Sequence, residues 1–230
     1  MTTKTASRNQ IRLDRRQVLT TALEVVDREG LEALSMRRLG AELSVDPMTI
    51  YHYAGGKERL LDGVAELLWE EVALPGVSRD PIEALRNLAR SLRDLFRRHP
   101  EAAPLILRCS RLIHPQLELY RAYLDALDKS ELGAREPASV LRSVLSFALG
   151  YGYAEISMLG VQCGPLDSRT LSQRELLLYL GQALPSNLPR RLAEAAMVMI
   201  ADCDSDQCFE DGLDLMLAGL ATSTDTGRTA

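Results

Sequence analysis

The sequence predicts an all-α protein in which a small amino-terminal unit of three helices precedes a larger helical bundle. Apolar residues recur at helical spacing along most of the 230-residue chain, and glycine and proline fall mostly between the periodic segments. No run of alternating β-branched residues indicates a strand. The low aromatic content of 5% and the abundance of Leu and Ala are typical of helix bundles.

The first predicted helix follows Asp14, whose carboxylate can cap it. Gly30 ends this helix, because glycine readily adopts the conformation that terminates one. The apolar residues of the helix form two adjacent rows, Val18/Ala22/Val25 and Leu19/Leu23/Val26.

Residues 34–57 predict two short helices joined by a tight turn. Ser35 can cap the first helix, and Val45 is expected to be the buried anchor of the turn. Asp46 can cap the second helix, where Pro47 takes the first position and its missing N–H costs nothing. This pattern predicts a helix-turn-helix.

The second short helix can bury little, so its outer face indicates a binding surface. Ile50 is expected to point to the core. The outward residues are Met48, Thr49, Tyr51 and His52. Because the second helix of a helix-turn-helix enters the major groove, the segment predicts a DNA-reading motif.

Charge divides the chain into a basic beginning and an acidic remainder. The whole chain carries −5, but residues 1–59 hold 10 Lys/Arg against 8 Asp/Glu, and the first 16 residues hold 5 basic against 1 acidic residue. We predict a flexible basic arm at residues 1–14 that adds salt-dependent affinity for DNA phosphates. The alternative is a solvated tail with no partner.

Six short motifs carry a family resemblance. They are Asp14-Arg15-Arg16-x-Val18, Ala22-Leu23-Glu24-Val25-Val26, Gly30-Leu31-Glu32, Leu34-Ser35-x-Arg37-Arg38-Leu39, Leu43-x-Val45, and Thr49-Ile50-Tyr51 through Lys57-x-x-Leu60-Leu61-Asp62. Over residues 12–70 they resemble the DNA-binding domain of TetR-family transcriptional repressors, most of all the tetracycline repressor subclass. The resemblance implies an all-helical homodimer that represses promoters and leaves its palindromic operator when a small molecule binds the larger domain.

The resemblance also implies roles for individual residues in residues 15–57, the helix-turn-helix domain. Arg37 matches a position that reaches a base edge or a phosphate, although a plain surface arginine is the alternative. Thr49 and Tyr51 match contacts to the DNA backbone, and Lys57 matches a phosphate-binding lysine. The full set of DNA-binding candidates is Ser35, Arg37, Pro47, Met48, Thr49, Tyr51, His52 and Lys57.

The positions from which base sequence is usually read hold Pro47 and Met48. Neither side chain can form hydrogen bonds, so both are expected to make apolar contacts, for example to a thymine methyl group. The tetracycline repressor subclass has a polar residue where Pro47 stands. An operator sequence therefore cannot be transferred from that subclass.

Residues 58–221 are expected to form a ligand-binding and dimerisation domain. A connecting helix is predicted over residues 57–73, and residues 222–230 are expected to be disordered. The later predicted helical segments lie at residues 80–99, 102–109, from Pro115 with Leu117, Tyr120, Leu124 and Leu127 in register, at 137–159, 171–184, 189–201, and after residues 204–206.

Two of these helices favour dimerisation. The helix over residues 137–160 contains small residues that allow close approach, namely Ala148, Gly150, Gly152 and Gly160. The last helix offers the apolar row Leu213/Met216/Leu217/Leu220. Together they could form a four-helix interface between two subunits, as the resemblance implies, and packing within one chain is the alternative.

The small-molecule site is the least determined part of the sequence, because apolar pockets and cores share one composition. The candidates are Trp69, Leu88, Leu92, Phe96, Tyr120, Tyr151, Glu155 and Met158. Leu88 and Leu92 replace the Asn and Phe that contact tetracycline in the subclass, so a bulky, mostly apolar effector is favoured over a magnesium–tetracycline complex. Glu155 would need a partner if it is buried.

No catalytic, metal or cofactor site is predicted. Asp202, Asp204 and Asp206 imitate the start of a calcium loop, but the sixth and twelfth positions hold Gln207 and Leu213. The cysteines form no CxxC pair, and no glycine-rich phosphate loop, GxSxG or HExxH occurs. We therefore expect a protein that is not an enzyme.

The expected location is the cytoplasm, because no signal sequence opens the chain and its longest apolar run, residues 195–201, is too short to cross a bilayer. The alternative function is a helical small-molecule-binding or protein-interaction module that no longer regulates DNA. The presence of Arg37, Tyr51 and Lys57 favours the regulator.

Overall fold

Every regular element that the structure describes is helical, which confirms the predicted fold class. The computed structural model describes residues 13–75, 80–108, 113–128, 136–159, 189–192 and 205–221. Its helices are α1 (Arg15–Glu29), α2 (Met36–Glu42), α3 (Pro47–Ala54), α4 (Lys57–Glu70), α5 (Pro81–Arg98), α6 (Leu105–Arg108), α7 (His114–Asp128), α8 (Pro137–Leu159) and α9 (Ser205–Ala221), with a 3-10 turn at Leu31–Ala33. The segment predicted at residues 171–184 lies outside the described residues, as does most of 189–201.

The chain divides into two compact units. The first comprises Met1–Glu71 and His99–Gln116, and the second comprises Val72–Arg98 and Leu117–Ala230. The first unit therefore holds α1 to α4 together with α6. The second holds α5, most of α7, α8 and α9.

In the first unit, α1 begins and ends as its sequence predicts. Asp14 accepts a hydrogen bond from the Gln17 backbone N–H at 2.8 Å, and the Gln17 side chain accepts one from the Asp14 N–H at 3.0 Å, so the two residues form a capping box. Gly30 ends the helix at φ +83°. Both predicted apolar rows of α1 are buried.

The helix-turn-helix is also built as predicted. The Ser35 hydroxyl accepts from the Arg38 N–H at 3.1 Å, and Asp46 accepts from the Met48 N–H at 2.8 Å. Pro47 occupies the first position of α3, and Gly55 closes that helix at φ +70°. Ile50 is fully buried, as expected.

The turn brings the backbones of α2 and α3 closer together than the sequence indicated. Ser44 takes the left-handed conformation at φ +54°, and the Val45 N–H donates to the Gly40 carbonyl at 2.9 Å. Val45 is half-buried, so its prediction as a buried anchor is wrong. Leu39 on α2 and Ile50 on α3 are fully buried instead.

Gly40 is required by this close approach. A Cβ at residue 40 would lie 2.9 Å from the Val45 carbonyl oxygen and 3.3 Å from the Pro47 nitrogen, both backbone atoms that cannot turn aside. Gly40→Ala is therefore expected to lower the free energy of unfolding by about 1–3 kcal/mol, although alanine is the better helix former. Urea unfolding measures this. Ala41→Ser, at an exposed neighbouring position, should change the value by less than about 0.5 kcal/mol. Equal stability of the two variants would contradict the prediction.

Helix α4 packs on α1 and ends earlier than predicted. A Cβ at Gly63 would lie 2.5 Å from a Leu19 methyl carbon, so the two helices meet at this glycine. The helix ends at Glu70 rather than at residue 73. Glu71 closes its last turn, where the Glu71 backbone N–H donates to the Leu68 carbonyl at 3.2 Å.

In the second unit, α5 packs closely on α8, and α7 turns an unexpected face to the core. A Cβ at Gly152 would lie 2.7 Å from the Phe96 ring, so this glycine serves a contact within the chain. The predicted row of α7 is confirmed only in part, since Leu127 is buried but Leu117 is exposed. The buried row of α7 is Leu119, Tyr123 and Leu127. Burial raises the pKa of Tyr123 to about 12, and its hydroxyl donates to the Ala73 carbonyl at 3.1 Å.

Candidate DNA interface and ligand-binding unit

Helix α3 presents the predicted reading residues on its outer surface. Met48 is 71% exposed and Tyr51 is 48% exposed, which is unusual for side chains of this size. His52 is also exposed and meets the Tyr53 ring edge-on at 5.4 Å. Pro47 and Thr49 are half-buried at the base of this face. The face combines apolar surface with hydroxyl groups.

Two exposed cations stand on the neighbouring helices. Arg37 projects from the first turn of α2, and Lys57 is the first residue of α4. Neither forms an ion pair with any residue in the described part of the chain, so both charges are available to an external anion. Ser35 is also exposed, but its hydroxyl is engaged in capping α2.

Arg38 has a different role from its neighbour Arg37. Its guanidinium donates to both oxygens of Glu29, at 3.0 and 2.7 Å, and also pairs with Glu42 one turn further along α2. Arg28 joins the same carboxylates. The cluster joins the end of α1 to α2 and therefore stabilises the helix-turn-helix rather than contacting DNA.

This cluster makes the stability of the first unit sensitive to acid. Hydrogen bonds from Arg38 and Arg28 lower the pKa of Glu29 to about 2, and those from Arg38 also lower the pKa of Glu42. A carboxyl group whose pKa is lower in the folded state than in the unfolded state stabilises the fold at pH values above its unfolded pKa of 4.5. This contribution is lost as the pH falls from about 4.5 toward 2. We expect Glu29→Gln to be less stable than wild type at neutral pH and to lose less stability over that interval. Thermal melting at successive pH values measures the difference. Parallel pH profiles would show that the cluster does not contribute.

Arg15 and Arg16 also have partners within the first unit. Arg15 pairs with Glu66 and Arg16 pairs with Glu70, each at 3.0 Å, so α1 is joined to α4 along one side. In the sequence these arginines adjoin the basic arm. In the structure they belong to α1, and their charges are paired with two glutamates of α4. The arm itself, up to residue 12, lies outside the described residues.

Most ligand candidates are buried. Leu88, Leu92 and Phe96 are fully buried on one face of α5, and Tyr120 and Tyr151 are half-buried. These residues lie in the second unit, whereas the buried Trp69 lies in the first. The side chain of Met158 lies outside the described residues.

The structure gives Glu155 the partner that its burial requires, and sequence reasoning did not find it. Arg93 is 5% exposed and donates to both Glu155 oxygens, at 2.9 and 3.0 Å. Its guanidinium also lies over the rings of Phe209, at 4.6 Å, and Tyr151, at 5.4 Å. Arg97 adds a second donor to Glu155 at 2.7 Å. A buried charged centre therefore lies among three helices of the second unit.

This centre belongs to a longer arrangement of charges between α5 and α9. Arginines recur on α5 at spacings of four, three and four residues, and acidic residues recur on α9 at spacings of four. The ion pairs along the two helices are Arg86–Asp214 at 2.6 Å, Arg90–Glu210 at 2.8 Å, Arg93–Asp206 at 2.9 Å and Arg97–Asp206 at 2.6 Å. We call this row the α5–α9 ladder. Both spacings are visible in the sequence and could have revealed it.

The ladder also explains Asp206, which in the sequence imitates part of a calcium loop. Asp206 lies in the first turn of α9 and pairs with Arg93 and Arg97, and these arginines lower its pKa. Asp202 and Asp204 lie outside the described residues. Within the part of the chain that the structure describes, no three His, Cys, Asp or Glu side chains could hold a metal ion.

Among the helices of the same described residues, none is both long and apolar enough to cross a membrane.

Solved structures provide a comparison for the whole arrangement. A possible TetR family transcriptional regulator from Streptomyces coelicolor A3(2) is 28% identical, with a TM-score of 0.73, and the match covers 91% of this chain and 99% of that one. ActR of Streptomyces coelicolor in complex with actinorhodin is 27% identical, with a TM-score of 0.70 over 93% of this chain and 99% of that one.

Sequence comparison gives the same assignment. The class D tetracycline repressor of Escherichia coli is 28% identical over 214 residues, which is 90% of this chain and 89% of that protein. Residues 18–64 match the bacterial regulatory proteins of the tetR family, and residues 75–224 match the tetracyclin repressor-like C-terminal domain. The second match alone spans more than half of the chain. With its helix-turn-helix and its larger helical unit, the chain belongs to the TetR family of bacterial regulatory proteins.

Proposed function

We propose that this chain is a ligand-responsive transcriptional repressor that binds a palindromic operator as a homodimer and leaves it when a small molecule binds. The observation that carries the proposal is the outer face of α3, where Met48 and Tyr51 are exposed, together with the available charges of Arg37 on α2 and Lys57 on α4. Large exposed apolar side chains beside cations suit a groove whose walls are phosphates and whose floor presents base edges.

The proposed contacts divide into two kinds. Arg37, Thr49, Tyr51 and Lys57 hold the DNA backbone, which fixes the position of α3 in the major groove. Pro47 and Met48 read base edges by apolar contact, and the thioether of Met48 suits a thymine methyl group. Ser35 supports Arg37 by capping α2, and His52 extends the reading face.

Operator selection tests this proposal directly. The full-length protein is incubated with a library of random duplexes, and the bound molecules are sequenced after repeated selection. We expect an inverted repeat whose half-sites lie about one helical turn apart. The reason is that the two α3 helices of a symmetric dimer, which are its reading heads, would contact the same side of the duplex. Failure to enrich any sequence would contradict sequence-specific DNA binding. A single unrepeated half-site would contradict the dimeric reader.

The proposed dimer uses the outer faces of α8 and α9. Leu213 and Leu217 of the predicted apolar row are buried within their own chain, so they are not available to a partner. Leu215, in contrast, is 81% exposed, and the adjacent Ala218 is exposed too. On α8, Gly150 is exposed, and no described residue outside its own helix comes within 4 Å of a Cβ built there, which leaves room on the described surface for a neighbouring helix.

Leu215→Glu is expected to convert the dimer to a monomer, because a carboxylate would be desolvated at the centre of the proposed interface. Sedimentation velocity at micromolar concentration measures the change. The control is Leu107→Glu, at an exposed leucine on α6 in the other unit, which should leave the wild-type state unchanged. A monomeric wild-type protein would contradict the dimer, and a dimeric Leu215→Glu variant would place the interface elsewhere.

The second unit is the proposed effector site. The ActR neighbour was solved with actinorhodin, and the class D relative is a tetracycline repressor. In this chain Leu88 and Leu92 stand where the tetracycline repressor subclass has its Asn and Phe, and they make this buried face of α5 apolar. The buried Arg93–Glu155 pair supplies a few fixed polar groups. We therefore expect a bulky, largely apolar effector that binds in this unit, beside Phe96, Tyr120 and Tyr151.

Thermal melting can find this effector. Compounds that bind the folded protein raise its melting temperature by mass action. Actinorhodin and magnesium–tetracycline serve as reference probes, and we expect magnesium–tetracycline to produce no shift. Compounds that do produce a shift are then tested for release of the selected duplex.

Release is proposed to act through α4, which begins with the DNA-contacting Lys57. Effector binding would shift α4 and change the separation of the two reading heads. A ligand changes such an equilibrium only by its difference in affinity for the two states. Equal affinity of an effector for the free and the DNA-bound protein would therefore exclude this mechanism.

A further inference from the structure

An open groove lies at the carboxyl-terminal end of α3, among α1, α3 and α4 of the first unit. His52, Tyr53 and the following Gly55 line one side of it, Arg15 lines it from the start of α1, and Arg59 lines it from the first turn of α4. His52 belongs to the proposed reading face, so the groove adjoins that face. Sequence reasoning did not single out Arg59.

The side chain of Arg59 lies across the end of α3. A Cβ built on Gly55 would lie 3.0 Å from Cδ and 3.1 Å from Nη1 of Arg59. Gly55 closes α3 at φ +70°, a conformation that favours glycine, and the absence of a side chain there leaves room for the guanidinium. The structure therefore places a positive charge directly beside the last turn of the reading helix.

The charge of Arg59 is not used within the described part of the chain. Two carboxylates of α4, Asp62 and Glu66, also line the groove. Glu66 pairs with Arg15 at 3.0 Å, whereas Asp62 lies three residues after Arg59 and forms no ion pair with it. Arg59 is exposed and pairs with no other described carboxylate. Its guanidinium is therefore available to an anion from outside the chain.

Arg59 and Lys57 serve different directions, although both belong to the first turn of α4. Positions two residues apart on an α-helix point about 200° apart around its axis, so their side chains do not face each other. One anion cannot lie against both side chains on nearly opposite sides of the helix. Arg59 would therefore add a contact to that of Lys57 and would not replace it.

We infer that Arg59 is a further phosphate-binding residue, which holds one DNA strand beside the carboxyl-terminal end of α3. The inference rests on the proposed function, in which α3 lies in the major groove. Phosphates line the walls of that groove, so a cation at the end of α3 meets the DNA backbone and not a base edge. The basic arm joins the fold on the same side, since Arg15 is the first residue of α1.

The salt dependence of binding tests this contact. The probe is the duplex that the full-length wild-type protein selects from a random library, and its affinity is measured between about 50 and 200 mM salt. In a dimer, Arg59→Ala removes two phosphate contacts, so the magnitude of the salt slope should fall by about 1.8. Arg59→Lys keeps the charge and should keep the wild-type slope. A wild-type slope in Arg59→Ala would overturn the inference.

Arg108→Ala is the matched control. Arg108 is exposed in the same unit and pairs with no described carboxylate, but it lies on α6, which packs on α4. Its removal changes the net charge by the same amount as Arg59→Ala. The control should keep the wild-type slope. Equal losses of slope in Arg108→Ala and Arg59→Ala would show a general effect of charge and would refute a contact at Arg59.

Asp62→Asn gives a test of opposite sign. A phosphate held by Arg59 would lie in the groove that Asp62 also lines, where the carboxylate repels it. Asp62→Asn should therefore bind the selected duplex several-fold more tightly than wild type. Asp125→Asn, at an exposed carboxylate of α7 in the second unit, should bind as wild type does. Unchanged or weaker binding by Asp62→Asn would place the groove away from the DNA and contradict the inference.

The inference and the proposed function can fail separately. If the wild-type protein selects no duplex, the proposed sequence-specific function fails. A duplex of fixed arbitrary sequence at low salt then still tests Arg59, because phosphate contacts do not depend on base sequence. If a duplex is selected and Arg59→Ala binds it with the wild-type slope, the function stands and the inference fails. Circular dichroism confirms that each variant is folded before binding is compared.

Discussion

Glu155→Leu is expected to destabilise the second unit by about 3–5 kcal/mol, because it removes one partner of a buried ion pair. Arg93 is 5% exposed and forms a bidentate pair with Glu155. Without that carboxylate, the guanidinium still pairs with Asp206, but this residue is mostly exposed to solvent. Screening makes an exposed partner a poor replacement. Urea unfolding followed by far-UV circular dichroism measures the loss.

The chain offers matched controls for this prediction. Glu118→Leu breaks the surface pair with Arg121 on α7 and should cost less than about 1 kcal/mol. The double variant Arg93→Met with Glu155→Leu removes both charges and should recover most of the stability, since apolar residues of similar volume often replace a buried pair without loss. Equal destabilisation by Glu155→Leu and Glu118→Leu would show that burial does not increase the cost of removing one partner of an ion pair.

The single tryptophan allows the two units to be monitored separately. Trp69 lies in the first unit, so its fluorescence reports the unfolding of α4 and its surroundings. Glu155→Leu should move the circular-dichroism transition of the second unit to lower urea more than it moves the fluorescence transition. Coincident shifts of the same size would indicate that the two units unfold as one cooperative body.

The sequence predicted the helix-turn-helix well because its determinants are local. Ser35, Asp46 and Gly55 act within one helical turn of their own positions, so their roles do not depend on the rest of the chain. The exposure of Met48 and Tyr51 also followed from sequence, since a helix of eight residues has room to bury little more than Ile50.

Features that depend on tertiary contacts were less predictable. Helix α7 has two apolar rows, and helical spacing alone cannot show that Tyr123 rather than Tyr120 faces the core. Glu155 could be recognised as needing a partner, but Arg93 lies 62 residues away and becomes that partner only when α5 packs on α8.

The effector site could not be predicted because pocket walls and cores have the same composition. Leu88 and Leu92 are buried on α5, and burial suits either role. The reading head differs in this respect. On the outer face of α3, Met48 and Tyr51 are large side chains that are nevertheless exposed, so residue type and exposure together identify this surface.

Removing Arg37 and Lys57 together is expected to abolish tight operator binding while leaving the fold intact. Both side chains are exposed and pair with no carboxylate within the described ranges, so Arg37→Ala and Lys57→Ala remove no ion pair there. The salt dependence of binding reports phosphate contacts, with a slope of about −0.9 per contact neutralised on B-form DNA. In a dimer each substitution removes two contacts, so each should reduce the magnitude of that slope by about 1.8, and the double variant by about 3.6.

Arg121→Ala is the control, because it removes an equally exposed arginine from α7 in the second unit and should leave the salt slope unchanged. Met48→Ala adds a second comparison. If Met48 reads a base edge, its loss should change which base is preferred at one position of each half-site while the salt slope stays constant. Unchanged slopes in Arg37→Ala and Lys57→Ala would assign the phosphate contacts to other residues. A lowered slope with unchanged base preference in Met48→Ala would contradict the division of the α3 surface into holding and reading residues.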